Sequence, residues 1–183
     1  MNFMDYLIKR ESCRDYKDQP VSREQLVNIV EAGRLSPSGC NAQPWKFIVV
    51  DEAEALEKVR DALVVKGGSS GCAWRASVPA FIVLVEEPAK LMPAAQEYYG
   101  DSQRFAQGDL GMAAMNMCYA ALDQGLSTCV LGMNDQKKME QALGIPEGHE
   151  VRLVIAVGYA DVDAAPRKKV RKSLEEVCGF NHW

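Results

Sequence analysis

The residues with chemistry to offer fall in four short segments. Near the N-terminus, Arg10, Ser12 and Arg14 alternate in Arg10-Glu11-Ser12-Cys13-Arg14. In an extended chain this period of two puts all three on one side. Guanidinium presents a planar fork of donors that matches phosphate oxygens, and serine adds a short hydroxyl donor. A solvated basic turn has the same pattern. The second segment, Ser36-Pro37-Ser38-Gly39-Cys40-Asn41-Ala42-Gln43-Pro44-Trp45, crowds hydroxyl and amide groups between two prolines. The prolines stiffen it, Gly39 permits close backbone approach, and Ser38, Asn41 and Gln43 supply donors and acceptors for the edge of a flat heterocycle. A polar turn ahead of a strand is the plainer alternative. The third segment, Pro166 to Leu174, concentrates basic residues in an acidic chain. Lys169 and Arg171 would share one side of it as a second phosphate clamp, or the run is simply solvated. In the fourth, Leu126 to Met133, a strand ends at Gly132, where backbone N–H groups can face a ligand. An ordinary core strand reads the same way.

Other chemistry is missing. The six cysteines, at 13, 40, 72, 118, 129 and 178, form no C-x-x-C pair, and Cys118 and Cys129 lie in apolar surroundings that suit small buried hydrophobes. Only two histidines exist, so a His-rich metal site is excluded, and His149 reads as a surface residue in a loop before a strand. There is no phosphate-binding P-loop, no G-x-G-x-x-G after a strand and no G-x-S-x-G elbow. The carboxylates are spread along helix faces. No catalytic side chain and no metal ligand set emerges; an enzyme without its own nucleophile, base or metal takes its reactivity from elsewhere, and an organic cofactor is the obvious source.

The elements that must carry these segments follow from periodicity. With 183 residues against a prior of roughly 150 per domain, one domain is expected, and a chain of this size buries about 70% of its unfolded surface. Hydrophobic residues are 48% and charged residues 25%, which excludes a disordered or disulfide-stapled chain. The net charge of −4 argues against nucleic acid. Apolar runs such as Ala80 to Val85 are far shorter than the ~20 residues of a membrane span. Asp5 interrupts the first apolar stretch and the basic residues come after it, the reverse of a secretion signal, so the protein is expected in the cytoplasm. The spacing predicts helices over 2–9, from Ser22 (a capping box with Gln25), over 53–65, in part over 88–100, and over 105–124 and 135–143. Strands are predicted over 46–50, 80–86, 127–131 and 151–157, with a flexible link at 67–71. The helix over 105–124 is rich in Ala, Met and Gly and has few charges, so it should be buried on more than one side. The tail 159–183 is too patterned for a frayed end and suits contact with a partner chain.

In this order the segments resemble the FMN-dependent nitroreductase family over nearly the whole chain. R-x-S-x-R matches at Arg10, Ser12 and Arg14. P-S-x-x-N-x-Q-P-W, the most specific element, matches at Pro37, Ser38, Asn41, Gln43, Pro44 and Trp45. G-L-x-T-C-x-L-G matches from Gly125 to Gly132, and K-x-R before Ser-Leu-Glu-Glu matches from Lys169. The resemblance implies an α+β fold, a central mainly antiparallel sheet flanked by helices, in an intertwined homodimer. It implies two FMN sites, each built from both chains. Arg10, Ser12, Arg14, Lys169 and Arg171 would hold the phosphate and ribityl chain. Pro37, Ser38, Gly39, Asn41 and Gln43 of the other subunit would line the isoalloxazine, and the backbone at Leu131 and Gly132 would lie near flavin N5. NADH or NADPH would give a hydride that passes through flavin to a small electron-poor acceptor such as a nitroaromatic or quinone. The alternatives are a specialised relative (a reductive dehalogenase or flavin-fragmenting enzyme), a flavin-binding protein without turnover, and a plain structural dimer. Residues 66–107 match no motif of the family, and Trp74, Tyr98, Tyr99 and Phe105 either line a pocket there or pack elsewhere.

Overall fold

The computed structural model describes residues 2–63, 73–101, 103–161 and 168–183. The expected link at 67–71 and the end of the helix expected to reach 65 lie outside them. The organising element is strand β2 (Ala80–Glu86), an unbroken apolar run buried along its whole length. Such a run is the mark of a strand covered on both faces. It pairs antiparallel with β1 (Trp45–Val50) on one side and with β4 (Glu150–Gly158) on the other. β3 (Ser127–Leu131) completes the sheet beyond β4, giving the order β1-β2-β4-β3 with every ladder antiparallel. Between Leu84 and Val85 the register shifts, leaving Arg152 as the extra residue of a bulge that meets Glu86 and Glu150.

Alternation along the strands divides the interior into two cores. Phe81, Val83 and Val85 join Val154 and Ala156 beneath Leu56 and Val59 of α3 (Ala53–Ala62) and Met139 of α6 (Gln136–Leu143). Ala80, Ile82 and Leu84 join Ile155 and Val157 beneath Leu26 and Ile29 of α2 (Arg23–Arg34) and Leu110, Ala114 and Met117 of α5 (Ala106–Asp123). The result is an α+β layering of helix pair, antiparallel sheet and helix pair, as expected. The predicted punctuation is also present. Ser22 caps α2 with Gln25 in a reciprocal box, Asp135 caps α6, and Gly144 ends α6 in the left-handed conformation. Of the weakly signalled stretch 88–100, only α4 (Pro93–Tyr99) is helical, with Gly100 as its left-handed stop.

Two features depart from a self-sufficient core. Helix α5 buries one broad face, but Met112 and Met115 stay open to solvent on the other. The tail, with its short helix α7 (Leu174–Val177), presents Val170, Leu174, Val177, Phe180 and Trp183 to solvent. No described helix is long and apolar enough to cross a membrane.

The first core closes over Tyr16, whose hydroxyl donates to the Cys13 carbonyl at 3.1 Å and whose phenol burial pushes far above its usual range. A Cβ at Gly158 would stand 2.7 Å from both the Tyr16 ring and Pro79. Gly158→Ala should therefore lower unfolding free energy by about 1–3 kcal/mol, because two rings must shift. An unchanged urea midpoint and slope would refute the packing described.

Candidate functional site

The N-terminal helix α1 (Phe3–Lys9) is set by a capping box between Asn2 and Asp5. Its far end is tied down by Tyr6, which donates to the Asp123 carboxylate at the C-terminal end of α5. At Arg10 the backbone leaves the helix for an extended path. Ser12 forms a parallel bridge with Thr128, the Cys13 N–H donates to the Thr128 carbonyl at 2.9 Å, and Tyr16 bridges to Ala160. Residues 12–16 thus run along the sheet beside β3. Here Ser12 hydrogen-bonds the Cys129 thiol. Burial pushes that thiol up, while Arg14, the Ser12 bond and Arg10 pull the other way, so both guanidinium groups lie close to it.

The basic residues of the tail come to the same corner. The Lys169 ammonium donates to the carbonyls of Leu7 at 2.8 Å and Arg10 at 2.7 Å, and also to that of Ile8. It caps the C-terminal end of α1, where a cation is favoured. Desolvation, then Arg10 and Arg171, lower its pKa from the ordinary lysine value, against an opposing pull from Glu11. Arg171 donates to its neighbour's carbonyl at 2.7 Å. Among the described residues Arg10, Arg14 and Arg171 make no ion pair with a carboxylate. Arg167, also in the basic run, lies outside the described residues.

The proline-bounded loop is a separate construction. Cys40, Asn41 and Gln43 adopt positive φ of 52°, 53° and 48°. Left-handed backbone at non-glycine residues is uphill, and it persists where the surroundings over-determine it, often at ligand sites. Here the surroundings are explicit. The Asp109 carboxylate, buried in the first turn of α5, accepts the Gly39 N–H at 3.1 and 3.2 Å. Buried Ser36 donates to the Ala32 carbonyl at 3.3 Å and accepts from Asn116 at 2.7 Å. The Ser38 hydroxyl accepts the Gln43 N–H at 2.9 Å, and the Gln43 amide donates to the Asn41 carbonyl at 3.3 Å. Gly39 fits flat against Phe105, whose Cβ would be 3.2 Å from an added methyl. Pro37 is exposed, and so is Asn41, whose amide makes no hydrogen bond among the described residues. Ser38 and Gln43 therefore shape the loop, and Asn41 is the amide presented outward.

Leu131 ends β3 half-buried, and Gly132 follows it in the open, with nothing near the position of a Cβ. One chain does not unite these parts. The basic cluster sits by Asp123 and Thr128, whereas the loop hangs on Asp109. Asp109 and Asp123 are about 21 Å apart along α5 at roughly 1.5 Å of rise per residue. Trp74 packs against the first core, 6.3 Å from Tyr16, while Tyr99 and Phe105 meet edge to face beside the loop. His149 is half-buried instead of lying on the surface, because its loop folds back beneath Gln136. Sequence reasoning missed Asp109 and Asn116. The available signal was a carboxylate in the first turn of an Ala-, Gly- and Met-rich helix whose other carboxylate, Asp123, is its last residue, since a buried charge needs a specific partner.

The nitroreductase family's profile matches residues 7–69 and 68–159. A putative NADH dehydrogenase/NAD(P)H nitroreductase of Archaeoglobus fulgidus is 31% identical over 154 residues, 82% of this chain and 80% of its own. The solved nitroreductase family protein of Streptococcus pneumoniae superposes with TM-score 0.84 at 24% identity, over 98% of this chain and 100% of that one. An FMN-dependent nitroreductase of Clostridium difficile R20291 gives TM-score 0.75 at 25% identity, over 99% and 100%. The chain belongs to the nitroreductase family, and with it to the flavoprotein oxidoreductases.

Asp109→Ala would orphan the Gly39 N–H and release the strained loop. The expected loss of stability is about 1–3 kcal/mol, read by chemical denaturation. Wild-type stability would show that the loop is held by other means.

Proposed function

We propose that the protein binds FMN between two copies of the chain and passes a hydride from NADH or NADPH to a small electron-poor acceptor, such as a nitroaromatic or a quinone. The observation that carries this reading is the gathering of Arg10, Arg14, Lys169 and Arg171 in one corner, where among the described residues the three arginines are in no ion pair and Glu11 is the carboxylate that acts on Lys169. A phosphate dianion suits that corner in charge and in donor geometry. The polar loop suits a heterocycle: Asn41 offers an outward amide, and its backbone is already fixed. Ser38, Gly39 and Pro37 would line the ring with it, and the open backbone at Leu131 and Gly132 would lie by its reactive edge. When bound, FMN supplies the hydride chemistry for which the chain has no side chain.

The chain's own part is binding, orientation and electrostatics. Arg10, Ser12, Arg14 and Arg171 would hold the phosphate end, and Lys169, whose three N–H donors go to the carbonyls of Leu7, Ile8 and Arg10, would add its charge there. The loop, pre-ordered by Asp109, holds the ring at little further entropic cost. Because the two groups stand at opposite ends of α5, the loop serving one basic cluster is best supplied by a second chain. Exposed Met112 and Met115 on α5, Phe3, Met4 and Ile8 on α1, and the apolar tail are the surface such a partner would cover. The tail 159–183 would then cross to the partner subunit, making 1–183 a single domain with an exchanged end. The acidic net charge and the absence of a described membrane-length helix agree with a small-molecule enzyme, for which we infer a cytoplasmic setting.

The deciding experiment is an absorption spectrum of the purified protein, followed by NADH or NADPH without oxygen. Bleaching of a bound flavin, reversed by a nitroaromatic or quinone, is expected. Flavin that stays oxidised with both donors would mean a binding protein, and a colourless protein without FMN affinity would overturn the reading. Arg10→Ala combined with Arg14→Ala should weaken FMN binding at least tenfold, at about 1.5–3 kcal/mol for each charge-assisted bond; unchanged affinity in a titration would refute the phosphate assignment. Lys169 carries its full charge only below its lowered pKa. FMN affinity should therefore decline with rising pH earlier than an ordinary lysine would dictate, and Lys169→Arg should remove that decline. A profile identical in both proteins would exclude Lys169 from the phosphate site.

A further inference from the structure

The stretch after α4 builds a platform of aromatic side chains with one cation on it. Tyr98 and Tyr99 meet edge to face with centroids 4.8 Å apart. Tyr99 meets Phe105 at 5.1 Å with their planes at 90°. The Arg104 guanidinium lies 5.2 Å from the centre of the Tyr99 ring. Tyr98 is 81% exposed and Tyr99 40%, far more than aromatic packing alone requires. The platform is mounted rigidly. Phe105 lies against Gly39 of the strained loop. Gln103 donates to Glu86 at 2.7 Å and to the Glu87 carbonyl at 3.2 Å, which fixes the residue before Arg104. Arg104 makes no ion pair among the described residues. Asp101, the carboxylate nearest in sequence, accepts the Gln103 N–H at 2.9 Å.

The geometry points to an acceptor that is an aromatic anion, a ring bearing a carboxylate or similar acidic group, with Arg104 as a specificity residue and Tyr98 and Tyr99 as its ring contacts. The inference rests on the reading that the loop from Pro37 to Gln43 lines the flavin ring. The platform touches that loop through Gly39, so a molecule on the platform stands beside the ring. The face of Tyr99 favours the cation where it lies, and Arg104, in no ion pair among the described residues, has guanidinium donors to offer a carboxylate in a bidentate contact. Exposed tyrosines offer edge-to-face contacts to a second ring. A neutral nitroaromatic would gain the ring contacts alone.

The test compares 4-nitrobenzoate with its neutral methyl ester as acceptors for the NAD(P)H-reduced wild-type protein. We expect a higher kcat/KM for the carboxylate, by roughly 10-fold or more for one charge-assisted bidentate contact, and a preference that shrinks as salt is added. Arg104→Gln should bring the carboxylate-to-ester ratio close to one, and Arg104→Lys should restore part of it. Equal kcat/KM for the two acceptors, or a ratio that Arg104→Gln leaves unmoved, would overturn the inference while the flavin still bleaches and reoxidises. Absence of flavin bleaching in the wild type is the separate failure of the underlying function. Thermal melts of the Arg104 variants identify any that fail to fold, and the wild-type ratio and its salt dependence decide the matter without them.

Discussion

Four cations from the two ends of the chain share one corner of the molecule, and their mutual repulsion is the constraint around which the rest is arranged. Lys169 shows how the protein holds them there. Its ammonium is bonded to the last carbonyls of α1, which leaves that helix end satisfied and brings the tail back across the N-terminus. Desolvation first, and then the charges of Arg10 and Arg171, lower its pKa. A cluster of this kind is stabilised by an external anion, and phosphate provides both the charge and the geometry. Burial favours the protonated form of the Cys129 thiol, against the opposing pull of Arg14 and Arg10.

The second constraint is backbone strain. Three left-handed residues in the Ser38–Gln43 turn persist because Asp109 holds the Gly39 N–H and the Ser38 hydroxyl holds the Gln43 N–H, while Asn116 anchors Ser36 just ahead of the turn. These supports are on α5 and on the turn itself, so the loop arrives at its shape without a ligand. The same helix that supports the loop also keeps it away from the basic corner. Helix α5 therefore acts as a spacer as well as a core element, and its open methionines lie on the side that a second chain would cover.

Much of the architecture was legible from periodicity. The run from Ala80 to Glu86 read as a buried strand, and the capping pair of Ser22 and Gln25 marked where α2 begins. Helix ends were less legible, because fraying and tertiary contacts decide the last turn. The stretch 88–100 resisted reading because its short helix is carried by Pro93 and Gly100 and not by an apolar stripe. Among the site residues, the spacing of Arg10, Ser12 and Arg14 was visible, and so was the polar density of the loop. The role of Asp109 was not, because a carboxylate seventy positions from Gly39 carries no local sign of the N–H it accepts.

The sequence alone determined the local matters: which segments are strands and helices, and where the donors cluster. These depend on neighbours within a few positions, where period and capping chemistry act. Only the tertiary structure decided that Lys169 closes on Arg10, that Ser38 and Gln43 help to hold the loop's own shape while Asn41 is exposed, and that the basic corner and the loop stand apart on one chain. Those facts depend on contacts between residues far apart in the chain, and their energies arise only once burial has brought the partners together.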